Sequence, residues 1–471
     1  MFIPKSMKKF SAIYFALFAL AITAVSCSKD DDDVKINTTP YAYIHSFGIG
    51  NIKSPFHDAT VDGKDTIVYK VVSGESYQFV VDQKTKEIYN KDSLIFGTNV
   101  EKVKTTLSCK GLPYRYDTEA GDFVYYSTTD SVDFTSPVRV RIVSTDDTYT
   151  NEYVVKVNVH QVDPDLLCWA EYAADALNEI TPLRIIEKGG SLYLFGNNGA
   201  GEPVVAVSAA DASSWSVSSV EAPLAADFSS VQLFDGLFYM AADGALYVSE
   251  DAAAWELVKP SCGIVSLIGV CPEAISPVTP GANSGREMLV AATDSEILYI
   301  YDADGALQTV GEPLPAGFPV YRAVYVASPL ATNANILRGT IVGCTSNDAA
   351  SSVESWSRLS TEQEWSCYTT PGSAFSCPSF ENATLLPYDN AIYAFGGAAG
   401  DDIAAFDKFY ISYDNGIVWK VCDDYKVKLP ESLAAAAGTD AAFAATVEGG
   451  KYMWIATRGR VWRGVINRLN F

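Results

Sequence analysis

The stretch FYISYDNGIVWKV, residues 409–421, decides the fold, because the C-terminal two-thirds of the chain repeats its pattern in altered copies. An apolar run leads into Ser412-x-Asp414-x-Gly416, and Trp419 opens the next apolar run. The Asp414 carboxylate accepts bonds from turn N–H groups, Gly416 permits a positive φ, and Trp419 supplies a large apolar anchor. The spacing predicts a β-hairpin that these four residues stabilise.

Six apolar five-residue runs recur along the C-terminal region at intervals of 45 to 60 residues. The runs are Leu192–Gly196, Leu237–Ala241, Met288–Ala292, Thr340–Cys344, Ile392–Gly396 and Tyr452–Ala456. This interval is the period of a four-stranded β-propeller blade, because four short strands and their loops need about 40 to 50 residues. The six runs therefore predict a six-bladed β-propeller over residues 163–471.

The last copy of the repeat reaches Phe471 after three strand-like runs and so lacks a fourth strand. A segment near the start of the same region, Leu166–Glu171, has the composition of that fourth strand, with Trp169 at its centre. We predict that the strand around Trp169 completes the sixth blade. This pairing would close the ring and remove the exposed sheet edges that an open array leaves.

The region from residue 40 to residue 162 carries about seven short strand-like runs separated by turn residues. In one of them Val138, Val140 and Ile142 alternate with two arginines, the period of a half-buried strand. Short alternating strands at this spacing favour an immunoglobulin-like β-sandwich, although the cysteine and tryptophan signature of antibody domains is absent. The whole mature chain is therefore predicted to be all-β.

Residues 1–26 combine three lysines with an apolar run, Phe10–Val25, and contain no acidic residue. This order is typical of a secretory signal peptide, and the run is short for a membrane-spanning helix. It ends before Cys27 in a sequence that resembles a lipobox, which implies that a lipidated Cys27 anchors the chain in a membrane. Ordinary secretion is the alternative. Residues 27–39 include Asp30–Asp33, whose like charges repel, and are predicted to form an acidic tether.

Several segments together resemble a Bacteroidetes surface lipoprotein family of unknown function. They are Asp82–Gln83, Ile88–Asn90, Asp92–Leu94, Asp130–Phe134, Asn158–Trp169 and Val461–Leu469. The resemblance implies an Ig-like N-terminal domain before a β-propeller, and it brings no site residues. The acidic run after Cys27 looks like the signal that sends such lipoproteins to the outer face of the outer membrane. The hairpin at residues 409–421 resembles the Asp-box of sialidase-like propellers, which implies that Ser412, Asp414, Gly416 and Trp419 are structural and take no part in catalysis.

Composition excludes several classes of function. The formal charge of −23 makes nucleic acid an unfavourable partner, while 48% hydrophobic residues suffice for real cores. The three histidines, His45, His57 and His160, all precede the propeller region, which must therefore work without histidine as base or metal ligand. Eight cysteines beyond Cys27 lack zinc-type spacing. The aspartate pairs at 401–402 and 423–424 lack calcium-loop spacing. No metal and no cofactor are predicted.

Carbohydrate binding on a propeller face is the leading functional hypothesis, because sugar rings stack on aromatic faces. The candidate ligand-binding residues lie near predicted loop edges: Phe318, Tyr321, Arg322, Trp356, Phe375 and Phe380. The alternative is that these side chains pack between neighbouring blades, as most aromatic side chains of propellers do.

A glycoside hydrolase of sialidase-like type is a second hypothesis, since Asp-boxes and six blades occur together in that group. Its chemistry needs an arginine cluster, a tyrosine with a glutamate partner, and an acid. The arginine motif that sialidases carry in their first blade is absent, and the most similar segment here is the one around Arg184. A protein-interaction or adhesion module is the third hypothesis. We interpret the chain as a lipid-anchored binding protein at the cell surface rather than an enzyme.

Overall fold

The computed structural model describes much of the chain between residues 39 and 469. The gaps are residues 60–64, 210, 222, 224–225, 273–285, 347–352, 370–372, 374, 379, 381–382, 397–407, 423–424 and 438–441. The signal segment, Cys27, most of the tether and the two aspartate pairs lie outside the described residues. Strands make up 58% of the structure and helix almost none, which confirms the all-β class. The described residues include no helix long and apolar enough to cross a membrane.

The chain divides into two compact units, one of residues up to 56 and 68–160, the other of residues 57–67 and 161 onward. The strands before residue 160 are β1 Tyr43–Ile49, β2 Ile52–Ala59, β3 Asp65–Val72, β4 Phe79–Asp82, β5 Glu87–Asn90, β6 Val103–Lys110, β7 Leu112–Asp117, β8 Asp122–Tyr125, β9 Ser131–Val132, β10 Val138–Val143 and β11 Thr150–Lys156. They form sheets in the orders β4-β5-β11-β10-β7-β8, β1-β6-β9 and β2-β3.

The core of the first unit combines side chains from its six-stranded and three-stranded sheets. Ile44 and Val103 from the smaller sheet share one apolar cluster with Val140, Ile142 and Tyr153 from the larger sheet. The structure shows the alternation that was predicted for β10. Val140 and Ile142 are buried, whereas Arg139 and Arg141 are not. Two sheets therefore enclose one core.

The second unit contains six antiparallel sheets of four strands each, in the described part of the chain. The first to third sheets are β13 Thr181–Lys188, β14 Ser191–Asn197, β15 Pro203–Ser208, β16 Trp215–Ser219; β17 Gln232–Phe234, β18 Leu237–Ala242, β19 Gly244–Ser249, β20 Glu256–Ile264; and β21 Ser266–Pro272, β22 Glu287–Ala292, β23 Glu296–Ala303, β24 Ala306–Pro313.

The fourth and fifth sheets are β25 Tyr321–Leu330, β26 Asn333–Cys344, β27 Val353–Leu359, β28 Ser366–Cys367; and β29 Thr384–Tyr388, β30 Ala391–Phe395, β31 Tyr410–Ser412, β32 Lys420–Val421. The sixth sheet has β33 Ala444–Glu448, β34 Tyr452–Thr457, β35 Arg460–Ile466 and, at its edge, β12 Leu167–Ala173. One short helix, α1 Glu431–Ala437, lies between the fifth and sixth sheets in sequence. Each of the six repeated apolar runs lies on the second strand of its sheet.

The six sheets pack in a closed cycle. Six apolar clusters each join side chains of two successive sheets, and one of them joins the sixth sheet to the first, where Trp454 meets Leu194. The first strand of every sheet also contacts the first strands of its two neighbours. The first strands therefore surround a common axis.

Strand β12 pairs antiparallel with β35 over its full length, from Leu167 opposite Ile466 to Ala173 opposite Arg460. The sixth sheet therefore combines strands that are almost 300 residues apart in sequence. The Trp169 ring lies against Gly464, where a Cβ would come within 2.8 Å of it, and its indole N–H donates to the Lys428 carbonyl at 2.7 Å.

The hairpin at residues 409–421 is held by its own side chains. Asp414 Oδ1 accepts from the backbone N–H groups of Ile417 and Val418 at 3.2 and 2.8 Å, and Ser412 Oγ accepts from Gly416 N at 2.8 Å. The Trp419 indole N–H donates to the Gly416 carbonyl at 3.1 Å. Gly416 has a φ of +90°, the conformation for which glycine was required.

The imperfect copy at residues 249–255 forms the same bonds without a glycine. Asp251 Oδ1 accepts from Ala253 N and Ala254 N, and the Trp255 indole donates to the Ala252 carbonyl at 3.2 Å. Ala252 stands where the glycine would be and adopts a φ of +67°. The hydrogen bonds of the turn therefore hold an alanine in a region that costs about 1–2 kcal/mol.

Gly416→Ala is expected to destabilise the second unit by about 2–4 kcal/mol. The new Cβ would lie 2.4 Å from Thr340 Cγ2 in the fourth sheet, in addition to the strain of a positive φ. Gly305→Ala is the matched control, because Gly305 also has a positive φ, +82°, but nothing lies within 4 Å of its Cβ position. Urea denaturation of both variants measures the difference. Equal losses would contradict the packing of the hairpin on the fourth sheet.

Candidate functional site

A cavity of about 90 Å³ lies where the six first strands meet. Every sheet of the cycle contributes to its lining, either from its first strand or from residues adjacent to that strand. The lining consists of residues 183–185, 227, 229–230, 266–267, 322–324, 383–384 and 443–445. We call it the central cavity. Its charged side chains are Arg184, Asp227 and Arg322, so that the lining carries a formal charge of +1 in a chain of −23.

Arg184 comes from β13 in the first sheet and is held by few partners. Its Nη2 donates to Gln232 Oε1 at the long distance of 3.5 Å, and its Nε is buried without a hydrogen-bond partner. It forms no ion pair with any described residue. Burial lowers the pKa of the Arg184 guanidinium, and the negative charge of Asp227 opposes that shift. The cavity therefore contains a cation whose hydrogen-bonding capacity is largely unused.

Asp227 and its neighbouring serines precede β17. The Asp227 carboxylate caps the 3-10 turn Phe228–Ser230, accepting from Ser229 N at 3.0 Å and from Ser229 Oγ at 2.5 Å. Ser230 Oγ donates to the Asp227 carbonyl, and Ser266 Oγ donates to the Val320 carbonyl at 2.6 Å. These hydroxyl groups have already donated their protons within the protein and keep lone pairs for a ligand donor.

Arg322 enters the cavity from a distorted part of β25. The pairing of β25 with β26 shifts register between Tyr321 and Val324, a β-bulge, and Arg322 has a φ of +48°. Such a conformation is unfavourable for arginine, and strained residues of this kind cluster at functional sites. Arg322 lies near the Cys344 thiol, whose pKa is raised mainly by burial and lowered in part by the arginine charge.

The structure distributes the six candidate ligand-binding residues among different environments. Phe318, Trp356 and Phe380 are at most 6% exposed and lie in the cores between sheets. Their rings meet other side chains edge to face, Phe318 with Trp356 at 5.4 Å. Tyr321 is half-buried against the same core as Phe318. Phe375 is 54% exposed. Of the six, only Arg322 lines the central cavity.

A second buried arginine, Arg358, has partners for both of its terminal nitrogens and serves packing. It lies between the third and fourth sheets, where Nη1 donates to the Tyr299 hydroxyl at 2.9 Å and the guanidinium stacks on the Trp365 ring at 4.8 Å. The Tyr299 hydroxyl also accepts from the Trp365 indole, and burial raises the pKa of Tyr299 to about 12. A neutral tyrosine and an aromatic ring thus hold the cation.

The described residues contain no cluster of histidine, cysteine and acidic side chains with the arrangement of a metal site. No disulfide joins the eight cysteines that the structure describes. Burial raises the pKa of the Cys271 thiol to about 11, so this side chain behaves as a small apolar group.

Arg184 and Arg322 were recognisable separately in the sequence, and no sequence motif singled out Asp227 or Ser266. All four lie on the first strand of a sheet or within the five residues before it. Counting back from each apolar run to the preceding strand would have brought them together. That signal was available in the periodicity, because first strands of propeller blades converge on the axis.

Sheets of four antiparallel strands arranged in a closed cycle around an axial cavity define a β-propeller, the class to which the C-terminal domain belongs. Residues 163–471 match the family described as the DUF6242 beta propeller domain, and residues 47–157 match the Domain of unknown function (DUF6242) N-terminal domain. The chain belongs to the DUF6242 family. The predicted combination of an N-terminal domain with a C-terminal β-propeller is confirmed. No curated protein matches the chain.

The solved structures to which the chain is similar are distant. Virginiamycin B lyase from Staphylococcus aureus is 10% identical, with a TM-score of 0.36, over 64% of this chain and 99% of that one. The GH93 alpha-L-arabinofuranosidase of Fusarium graminearum is 12% identical, at 0.38, over 64% and 98%. AofleA from Arthrobotrys oligospora is 13% identical, at 0.35, over 64% and 86%. At these values the activities of those proteins say nothing about this chain.

Proposed function

We propose that this chain is a lipid-anchored binding protein of the bacterial cell surface that captures an extracellular ligand, with a glycan as the leading class. Residues 163–471 act as a six-bladed propeller closed by the strand around Trp169, and residues 40–162 act as an Ig-like spacer. Lipidated Cys27 holds the chain in the outer membrane, facing outward. The hairpins of the Asp-box type stabilise the blades.

The observation that carries the binding role is the central cavity. All six sheets contribute to it, and it combines guanidinium donors with hydroxyl acceptors, the groups that recognise a polar ligand. A cavity of about 90 Å³ admits one functional group or a terminal residue of a ligand rather than a whole oligosaccharide. The rest of a larger ligand would lie across the face of the propeller.

The alternative of a glycoside hydrolase draws support from the same cavity, because two arginines and one acid line it. Glycoside hydrolysis needs two carboxyl groups, or a tyrosine activated by a glutamate. Among the described lining residues Asp227 is the only carboxylate, and no tyrosine, glutamate or histidine accompanies it. Asp227 is also occupied in capping a turn. The cavity therefore favours binding without hydrolysis.

A glycan array probed with the detergent-solubilised full-length chain tests the proposal. We expect binding to a limited group of glycans, and no change in their mass after prolonged incubation with the protein. Cleavage of a bound glycan would favour the hydrolase. The absence of binding to every glycan class tested would contradict glycan capture and favour a protein partner.

A further inference from the structure

We propose that the central cavity binds the carboxylate of a sugar acid and that Arg184 is the principal residue that recognises it. This inference rests on the proposed binding function and specifies its ligand. The observations that carry it are the charge of the cavity, the unused donors of Arg184 and the state of the surrounding hydroxyl groups.

Arg184 supplies the reason to expect an anion. A guanidinium has five N–H donors, and in the described structure those of Arg184 make one contact, at 3.5 Å, to a neutral amide. Its Nε is sealed from solvent without a partner. Leaving a buried cation in this condition is unfavourable, and an anionic ligand would both pair the charge and take the remaining donors. Arg184 lines the central cavity, and the residue as a whole is half-buried.

The charge of the cavity favours a single negative charge. Arg184 and Arg322 bring two positive charges, and Asp227 brings one negative charge. A carboxylate would balance the remaining charge of +1. A phosphate monoester would bring nearly two charges close to the Asp227 carboxylate, and a cationic ligand would meet two guanidinium groups.

The hydroxyl groups of the lining indicate what the carboxylate is attached to. Ser229, Ser230 and Ser266 have each donated their proton to a protein acceptor and retain only lone pairs. A ligand that matches them must carry donors near its carboxylate. Uronates do, because a ring hydroxyl group stands on the second carbon from the carboxyl carbon, whereas acetate carries no hydroxyl group.

Arg322 adds a second guanidinium from the fourth sheet, three sheets along the cycle from the first. A regular strand alternates the direction of successive side chains. The β-bulge and the φ of +48° at Arg322 interrupt that alternation and bring an arginine to the axis. A carboxylate bound to Arg184 would lie beside the positive charge of this second arginine. Such a site recognises the end of an acidic chain or a free sugar acid.

Isothermal titration of the full-length chain in detergent provides the test. The ligands are D-glucuronate, D-galacturonate, D-glucose, acetate, and an oligouronate beside its carboxyl-reduced form. We expect at least one uronate to bind ten times or more tighter than glucose and acetate. Tighter binding of the oligouronate than of the monosaccharide would indicate that the bound carboxylate belongs to a glycan. Tighter binding of the monosaccharide would indicate a free sugar acid.

Substitutions connect binding to the cavity. Arg184→Gln is expected to weaken uronate binding about 10- to 100-fold, and Arg184→Lys, which retains the charge but not the fork of donors, less than that. Arg460→Gln is the matched control, since Arg460 is an exposed arginine of β35 paired with Glu171 and should leave affinity unchanged. Thermal unfolding verifies that each variant is folded.

The outcomes separate this inference from the function on which it rests. Neutral glycans that bind with an affinity unaffected by Arg184→Gln would leave the capture function standing and overturn the carboxylate site. Uronates that bind no better than glucose would overturn it as well. Failure of every acidic and neutral sugar would overturn both.

Discussion

Leu167→Asp is expected to lower the free energy of unfolding of the propeller by at least about 4 kcal/mol. Leu167 is 5% exposed on β12 and lies in the core between the fifth and sixth sheets, so that the new carboxylate would be buried in apolar surroundings. The same strand forms the edge of the sixth sheet through its pairing with β35. Loss of this strand would leave the β35 edge unpaired and weaken the closure of the ring.

Cys168→Asp is the control for that prediction, because Cys168 is the next residue of β12 and points to solvent. Its effect should stay below about 0.5 kcal/mol. All eight tryptophans lie between Trp169 and Trp462, so their fluorescence during urea denaturation reports the propeller without the N-terminal domain. A loss of stability for Leu167→Asp as small as that for Cys168→Asp would mean that β12 is dispensable for the ring.

Trp419→Ala is expected to cost about 3–5 kcal/mol, the usual range for removing a buried aromatic side chain. Trp419 is 1% exposed and fills the core between the fourth and fifth sheets. Its backbone N–H also donates to the Phe375 carbonyl at 2.9 Å, and its indole closes the turn at Gly416. The substitution would leave a large cavity and remove the indole bond to the turn, while the backbone N–H of residue 419 could still donate to Phe375.

The tryptophan of the second sheet offers a comparison for the same residue in the same motif. Trp255 makes the same indole bond to its turn, but it is only half-buried, against Phe195 and Phe228. Trp255→Ala should therefore cost about 1–2 kcal/mol, in proportion to the smaller apolar area that it buries. The two fluorescence-monitored unfolding curves give the values. Equal costs would indicate that the turn, and not the burial, determines the contribution.

The sequence predicted the repeated elements well because each depends on residues close together in the chain. Every apolar run lies on the second strand of a sheet, and the turn at Ser412–Gly416 forms the bonds that its residue types predict. The strands of the N-terminal domain were harder to predict. β2, β5, β7 and β9 were not predicted, since they are short or lack clear alternation, and the described part of the region has eleven strands where about seven were expected.

The candidate site was less predictable than the fold. Phe318, Trp356 and Phe380 stand near loops in sequence, yet they pack between sheets, because an aromatic residue near a strand end serves a blade interface as readily as a ligand. Arg184 and Arg322 are 138 positions apart, and no local pattern indicates that they line one cavity.

The sequence by itself determined the all-β class, the repeated strands, the turn chemistry and the segment around Trp169 that pairs with the last strand. These features follow from apolar periodicity and from turn residues acting over a few positions. Only the tertiary structure decided which aromatics are buried and which charged side chains meet at the axis. The reason is that the cavity exists only once all six first strands surround it, and their order in space depends on the closure of the whole ring.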